Sequence, residues 1–229
     1  INDKIPFGLK VFNEESKGLF KEQNLEKFSE TPYEYIGNEV FEQVIVDGDT
    51  TATYANDKNG TVFSISDFYK FDEKSTQELL YFVREGNTLF VSSTTMPDVL
   101  KDSLKFEVIL RNHIETKLKS TLVNSSTNFE FDKGASDYYF SKFDKNTTTI
   151  LGNIHDKKYT LPNFVEIKHG KGKFLLHLQP IAFTNYYLLK NNYKYIESVC
   201  SHIDSENIYW SVEGVEGSSI SDSPLRFIF

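Results

Sequence analysis

Apolar residues in this chain fall into short dense runs separated by amphipathic stretches, the alternation expected of strands buried on both faces and of helices that cover them. Thr61-Val62-Phe63-Ser64-Ile65, introduced by Asn59-Gly60, is one such run, and Thr88-Leu89-Phe90-Val91 is another. Between them Leu79, Leu80, Phe82 and Val83 recur at helical spacing. Asp72 and Glu73 stand where a helix N-terminus favours acidic groups, and Gly86 stands where a helix ends. Strand, helix, glycine and strand make a βαβ unit, which predicts parallel strands joined by a right-handed crossover.

The same reading extends along the chain. Over residues 7–20, Phe7, Val11, Phe12, Glu15 and Leu19 share one face of a predicted opening helix, with Pro6 suited to its first turn. Residues 41–54 predict a hairpin turning at Asp47-Gly48-Asp49. Residues 163–167 and 172–178 predict strands paired across a turn at Gly170, followed by a helix over about 184–203 and a last strand at Asn207-Ile208-Tyr209-Trp210. Residues 211–223 read as a loop rich in glycine and serine. The run from about 117 to 160 shows short alternating segments, read as an antiparallel β excursion or excess loop within one domain. The prediction is a single α/β domain over residues 1–229, with three layers: a mostly parallel sheet and helices on both faces.

Composition narrows the function classes. A chain of 229 residues is long enough to bury roughly 70–75% of its unfolded surface. Its 20 Phe and 13 Tyr make large planar side chains the main filling of that core. A net charge of −8 argues against nucleic acid, since duplex binding needs a clustered basic face. Cys200 is the only cysteine, which excludes an internal disulfide and a zinc site built from several thiolates. No apolar run reaches the length of about 20 residues that spans a bilayer. The start at Ile1 and the apolar ending Phe227-Ile228-Phe229 predict a domain cut from a longer, membrane-tethered parent, with anchors in flanking segments.

The candidate site lies at the carboxyl ends of the central strands, where open α/β sheets form a crevice. Ser92, Ser93 and Thr94 follow one strand; His177 and Gln179 close another, pointing to one side; Thr184 and Asn185 open the next helix. Two readings stand side by side. In the preferred one His177 is a satisfied core histidine and Thr184 a helix cap; in the other the seven residues line a ligand crevice. Gly170 and Gly172 flank Lys171 but precede a strand, so a hairpin turn with solvated lysines is expected rather than a phosphate loop. His113, His155 and His169 lack the spacing of a metal site, and Asp47 and Asp49 lack the further ligands of a calcium loop. No metal or other cofactor is expected.

Tyr81-Phe82-Val83-Arg84-Glu85-Gly86-Asn87, then Gly170-Lys171-Gly172-Lys173 with Phe183-Thr184-Asn185-Tyr186-Tyr187-Leu188-Leu189, and finally Ser223-Pro224-Leu225-Arg226 together carry a resemblance. The chain resembles the bacterial family of domain of unknown function 4350. The resemblance implies a class I glutamine amidotransferase-like α/β fold and a membrane-anchored parent. Enzymes of that fold use a cysteine on the turn after a strand, but the comparable turn here reads Ser92-Ser93-Thr94-Thr95. Cys200 and His202 are two apart within a predicted helix and so face different sides. The expectation is therefore a non-enzymatic module on the periplasmic side of a bacterial inner membrane, binding a protein partner or small ligand. The alternative is a serine-type hydrolase using Ser92, Ser93 or Thr94 with His177 and an acidic residue. Carbohydrate recognition by exposed aromatics is a third reading.

Overall fold

The computed structural model describes residues 4–37, 40–46, 49–55, 58–111, 118–123, 128–155, 158–190 and 192–212, with 40–46 and 49–55 described by their backbone. The Asp47-Gly48 turn, His113, the loop from residue 213 onward, Ser223-Pro224-Leu225-Arg226 and the apolar ending lie outside the described residues. In chain order the elements are α1 (Lys10–Leu19), β1 (Asn24–Phe28), α2 (Pro32–Ile36), β2 (Val40–Val46), β3 (Asp49–Ala55), β4 (Thr61–Ile65), α3 (Glu73–Arg84), β5 (Thr88–Ser92) and α4 (Asp98–Leu104). There follow β6 (Glu107–Leu110), β7 (Leu118–Leu122), β8 (Phe129–Phe131), β9 (Tyr138–Lys142), β10 (Thr148–His155), β11 (Thr160–His169) and β12 (Gly172–His177). A 3-10 turn (Pro180–Phe183), α5 (Asn185–Leu189), α6 (Tyr193–Cys200) and β13 (Asn207–Ser211) complete the described elements.

Among the described residues nine strands form one sheet in the order β1-β13-β4-β5-β12-β11-β10-β7-β8. The first five run parallel, and β4, β5 and β12 lie side by side at its centre as the βαβ reading expects. From β12 onward each neighbour is antiparallel. The expectation of a mostly parallel sheet is thus corrected to a mixed one, and with the separate β2-β3 and β6-β9 pairs antiparallel contacts predominate. The cause is local: the turn between β11 and β12 reverses the chain in two residues, which a parallel connection cannot do. Gly170 adopts φ +59 there, and a Cβ on Gly172 would lie 2.1 Å from Asn87 O and 2.3 Å from Val83 O, so the turn packs directly on the end of α3. Lys171 is solvated, but Lys173 is half-buried and reaches Asp204 at 3.1 Å, contrary to the pair of solvated lysines expected.

The segment read as an antiparallel excursion or excess loop contributes antiparallel strands: β7, β8 and β10 extend the main sheet, and β9 pairs with β6. Their alternating pattern is that of strands with inequivalent faces, as in β8, where Phe129 and Phe131 are buried and Glu130 is exposed.

Both faces of the sheet are covered. On one, Phe12 of α1, Phe183, Tyr187 of α5, and Tyr195, Ile196 and Val199 of α6 pack on Phe63, Phe90, Phe164, Leu175 and Trp210. On the other, Leu79, Phe82 and Val83 of α3 and Leu100 of α4 pack on Val62, Leu89, Val91, Val165 and Leu176. Every residue of β4 and β5 is buried, as their near-continuous apolar runs require. Phe63 joins the aromatic filling, stacking on Phe90 at 4.7 Å and meeting Trp210 edge-on at 6.1 Å.

Helix boundaries follow local chemistry. Asp72 caps α3 by accepting from Ser75 N at 2.7 Å, and those bonds hold its carboxyl below the usual range. Two further expectations need correction. The opening helix starts at Lys10, so Phe7 and Pro6 precede it and Phe7 packs against Tyr186 from an exposed position. The helix expected over 184–203 is two, α5 and α6, broken around Lys190 and Asn192, where asparagine competes poorly as helix interior.

Candidate functional site

β5 and β12 are adjacent and parallel, and their register sets His177 beside Ser92 on the face covered by α6. Ser92 Oγ lies 2.7 Å from His177 Nδ1, and His177 Nε2 lies 3.0 Å from the Tyr195 hydroxyl. Tyr195 continues to Ser120 Oγ at 3.2 Å, and Ser120 donates to Asn153 O at 3.2 Å. The donor count orients this chain. Ser120 spends its proton on a carbonyl, so it accepts from Tyr195; Tyr195 then accepts from His177 Nε2–H, which leaves Nδ1 to accept from Ser92. The chain runs from Ser92 to a backbone carbonyl through neutral groups.

All four side chains are buried, His177 with no exposed surface. Phe164, the register partner of His177 on β11, meets the imidazole edge-on at 5.4 Å, and Phe183 does so at 5.8 Å. This burial holds the His177 pKa down at about 3 and pushes the Tyr195 phenol well above its ordinary value. At neutral pH the imidazole is uncharged.

The other predicted site residues diverge from this pair. Ser93 N donates to His177 O at 2.9 Å, but its hydroxyl turns to Asp67 O at 3.4 Å. Thr94 bonds Asp67 O through both its backbone N–H and its hydroxyl, which ties the turn after β5 to the turn after β4. Gln179 Nε2 donates to Ser136 O at 2.6 Å. Thr184 occupies the N-cap position of α5 without capping it, a further correction: its hydroxyl donates back to Ile181 O at 2.7 Å, the carbonyl that also accepts its backbone N–H. Asn185 accepts from Val11 N at 2.7 Å and donates to Ile5 O at 2.8 Å, which anchors the segment leading into α1.

Ser92 and His177 are therefore the members of the set that the structure joins by side-chain hydrogen bond. Tyr195 and Ser120 complete the hydrogen-bonded chain without belonging to the predicted set. Their assembly depends on α6 crossing the sheet face beside β7, for which neither residue carries a local signal.

A serine donating to an imidazole is the arrangement of a nucleophile and its base. Here the second imidazole nitrogen faces a phenol rather than a carboxylate, so taking the serine proton would create a buried imidazolium without a countercharge. Cys200, at the end of α6, is also buried, which pushes its thiol up. An open groove of about 430 Å³ lies at the amino ends of β1 and β13, among Leu19, Lys21, Gln23, Asp204, Ser205 and Glu206. That is the opposite end of the parallel strands from His177. No helix among the described residues is long and apolar enough to cross a membrane.

No curated protein matches the chain. Among solved structures it is similar to a cytoplasmic protein from Salmonella typhimurium LT2, at 11% identity and a TM-score of 0.43, over 80% of this chain and 100% of that one. It is also similar to an exo-β-1,4-mannosidase from Opitutaceae bacterium strain TAV5, at 12% identity and 0.43, over 64% of this chain and 26% of that one. For a catalytic mutant of a β-galactosidase from G. stearothermophilus the figures are 14% and 0.37, over 60% of this chain and 22% of that one. The chain thus spans about a fifth of the β-galactosidase, and likenesses of this size carry neither fold nor activity across. The family model described as domain of unknown function (DUF4350) matches residues 38–199, and the chain belongs to that family.

Proposed function

We propose that this domain is a non-catalytic binding module, held on the periplasmic side of a bacterial inner membrane by segments outside these residues, and that it takes a protein partner or small ligand at the carboxyl edge of its parallel strands. The observation that carries the reading is the state of His177: buried, neutral, and hydrogen-bonded at both ring nitrogens to uncharged hydroxyls. Such a group contributes to the core and offers little to a substrate. The loop after β4 lies at the carboxyl edge, where Asp67 O accepts from Thr94 and the neighbouring Phe68 is 68% exposed. An exposed aromatic at that edge suits partner contact. The membrane location rests on the family resemblance. A distant relation to the class I glutamine amidotransferase-like fold is supported by the parallel β4-β5-β12 group, its helices on both faces, and the turn after β5.

The second reading, a serine-type hydrolase with a degenerate amidotransferase-like site, draws on the 2.7 Å contact between Ser92 and His177. A fluorophosphonate probe separates the two, because it labels an activated serine hydroxyl and ignores a buried structural one. The binding reading expects native protein to stay unlabelled and ester turnover to remain at background. Stoichiometric labelling of Ser92 that disappears in His177→Gln would establish the hydrolase.

A further inference from the structure

Residues 132–137 join β8 to β9 and cross the exit of β12, where the sequence places its crevice. Each end is tied down by polar groups. The Asp132 carboxylate accepts from Lys190 Nζ at 2.8 Å and from the Tyr186 hydroxyl at 3.3 Å. Lys133 N donates to the Tyr187 oxygen at 2.7 Å, and that hydroxyl donates to Lys133 O at 2.6 Å. At the far end Ser136 O accepts from Gln179 Nε2 at 2.6 Å, and Asp137 meets Arg111 at 3.3 Å. Between the ties Gly134 adopts φ +66 directly over Ile181, whose Cδ1 would lie 2.7 Å from a Cβ at that position. Helix α5 therefore holds one end of the segment and the exit of β12 holds the other.

Beneath it Gln179 is fully buried, with Nε2 bound to the segment and Oε1 without a hydrogen-bond partner among the described residues. A buried amide oxygen without a donor costs free energy in the closed arrangement. Attachment through hydrogen bonds and a partly exposed ion pair is also the signature of segments that open locally while the core stays folded.

We propose that residues 132–137 are a strap that opens from its α5 end, with Asp132 and Lys190 as the latch, and that opening carried through to Ser136 releases Gln179 at the carboxyl edge of β12. The significance of opening rests on the binding reading, since it would admit a ligand to that edge. Opening itself is measured without one, so either idea can fail while the other stands.

Native-state hydrogen exchange on the full chain tests the strap. The Lys133 amide, bonded to Tyr187, reports the strap, and the Leu175 and Leu176 amides of β12 report the core. Lys133 should exchange about 100-fold faster than the β12 amides, independently of low denaturant. Asp132→Asn and Lys190→Met should each speed Lys133 by about fivefold and leave Leu175 and Leu176 unchanged. Exchange of Lys133 at the β12 rate, equal acceleration of strap and core, or no response to either substitution would overturn the proposal.

Discussion

His177 and Ser92 are register partners on neighbouring parallel strands, with Nδ1 and Oγ 2.7 Å apart inside the covered face of the sheet. The pair has the contact geometry of a nucleophile and its base but the surroundings of a core hydrogen bond. Its value is therefore measured first as stability.

Replacing His177 with alanine removes a buried ring and leaves Ser92 without its side-chain partner, while Tyr195 keeps its bond to Ser120. The expected loss is about 3–5 kcal/mol, the sum of a cavity and one unsatisfied hydroxyl. Ser92→Ala strands only the imidazole acceptor and should cost about 1–2 kcal/mol. Urea unfolding followed by circular dichroism reads both. A loss below about 1 kcal/mol for His177→Ala would mean that the ring is not packed as described.

The same burial makes stability depend on pH. His177 titrates near 3 in the folded protein against 6.5 for an unperturbed histidine, so the unfolded chain binds its proton first as pH falls. Its contribution is fully present above about 6.5 and is lost progressively toward 3, with a slope approaching 1.4 kcal/mol per pH unit. His169 and His202, whose pKa values burial also lowers, add smaller losses in the same window. Urea midpoints measured from about pH 7 to pH 4.5 should fall steeply for the native chain and distinctly less for His177→Gln.

Gly172→Ala tests the turn that reverses the sheet. The added methyl would sit 2.1 Å from Asn87 O and 2.3 Å from Val83 O, both backbone atoms that cannot swing away. A destabilisation of about 3 kcal/mol or more is expected in the same unfolding assay. A neutral result would show that the β11-β12 turn does not pack against the end of α3.

Cys200 should resist thiol reagents in the folded state, since it is buried and its pKa is raised by that burial. Labelling by a disulfide reagent should proceed at the rate of unfolding and become immediate in denaturant. Rapid native labelling would place the thiol at the surface.

Legibility in the sequence followed the range of the interactions involved. The unit β4-α3-β5 is readable because its signals are local: a continuous apolar run, a helical stripe between Asp72 and Gly86, and a second apolar run. The joining of β7, β8 and β10 to the main sheet is set by pairing between distant segments, which alternation within a strand does not encode. The division of α5 from α6 was hidden because Tyr186, Tyr187, Tyr195 and Ile196 keep the look of one amphipathic stretch across Lys190 and Asn192. The pairing of Ser92 with His177 came within reach because both residues end central strands. Tyr195 did not, because nothing near it in the chain reveals which face of which strand its hydroxyl meets.

The account turns on whether His177 is a sealed, neutral member of the core, and nitrogen-15 NMR of its imidazole measures that directly. The prediction is a single neutral tautomer with the proton on Nε2, unchanged from about pH 5 to pH 8, because burial holds the ring unprotonated and Tyr195 takes its hydrogen bond. A titration midpoint between about 6 and 7, or a proton on Nδ1, would show an accessible or differently oriented base and would contradict the account.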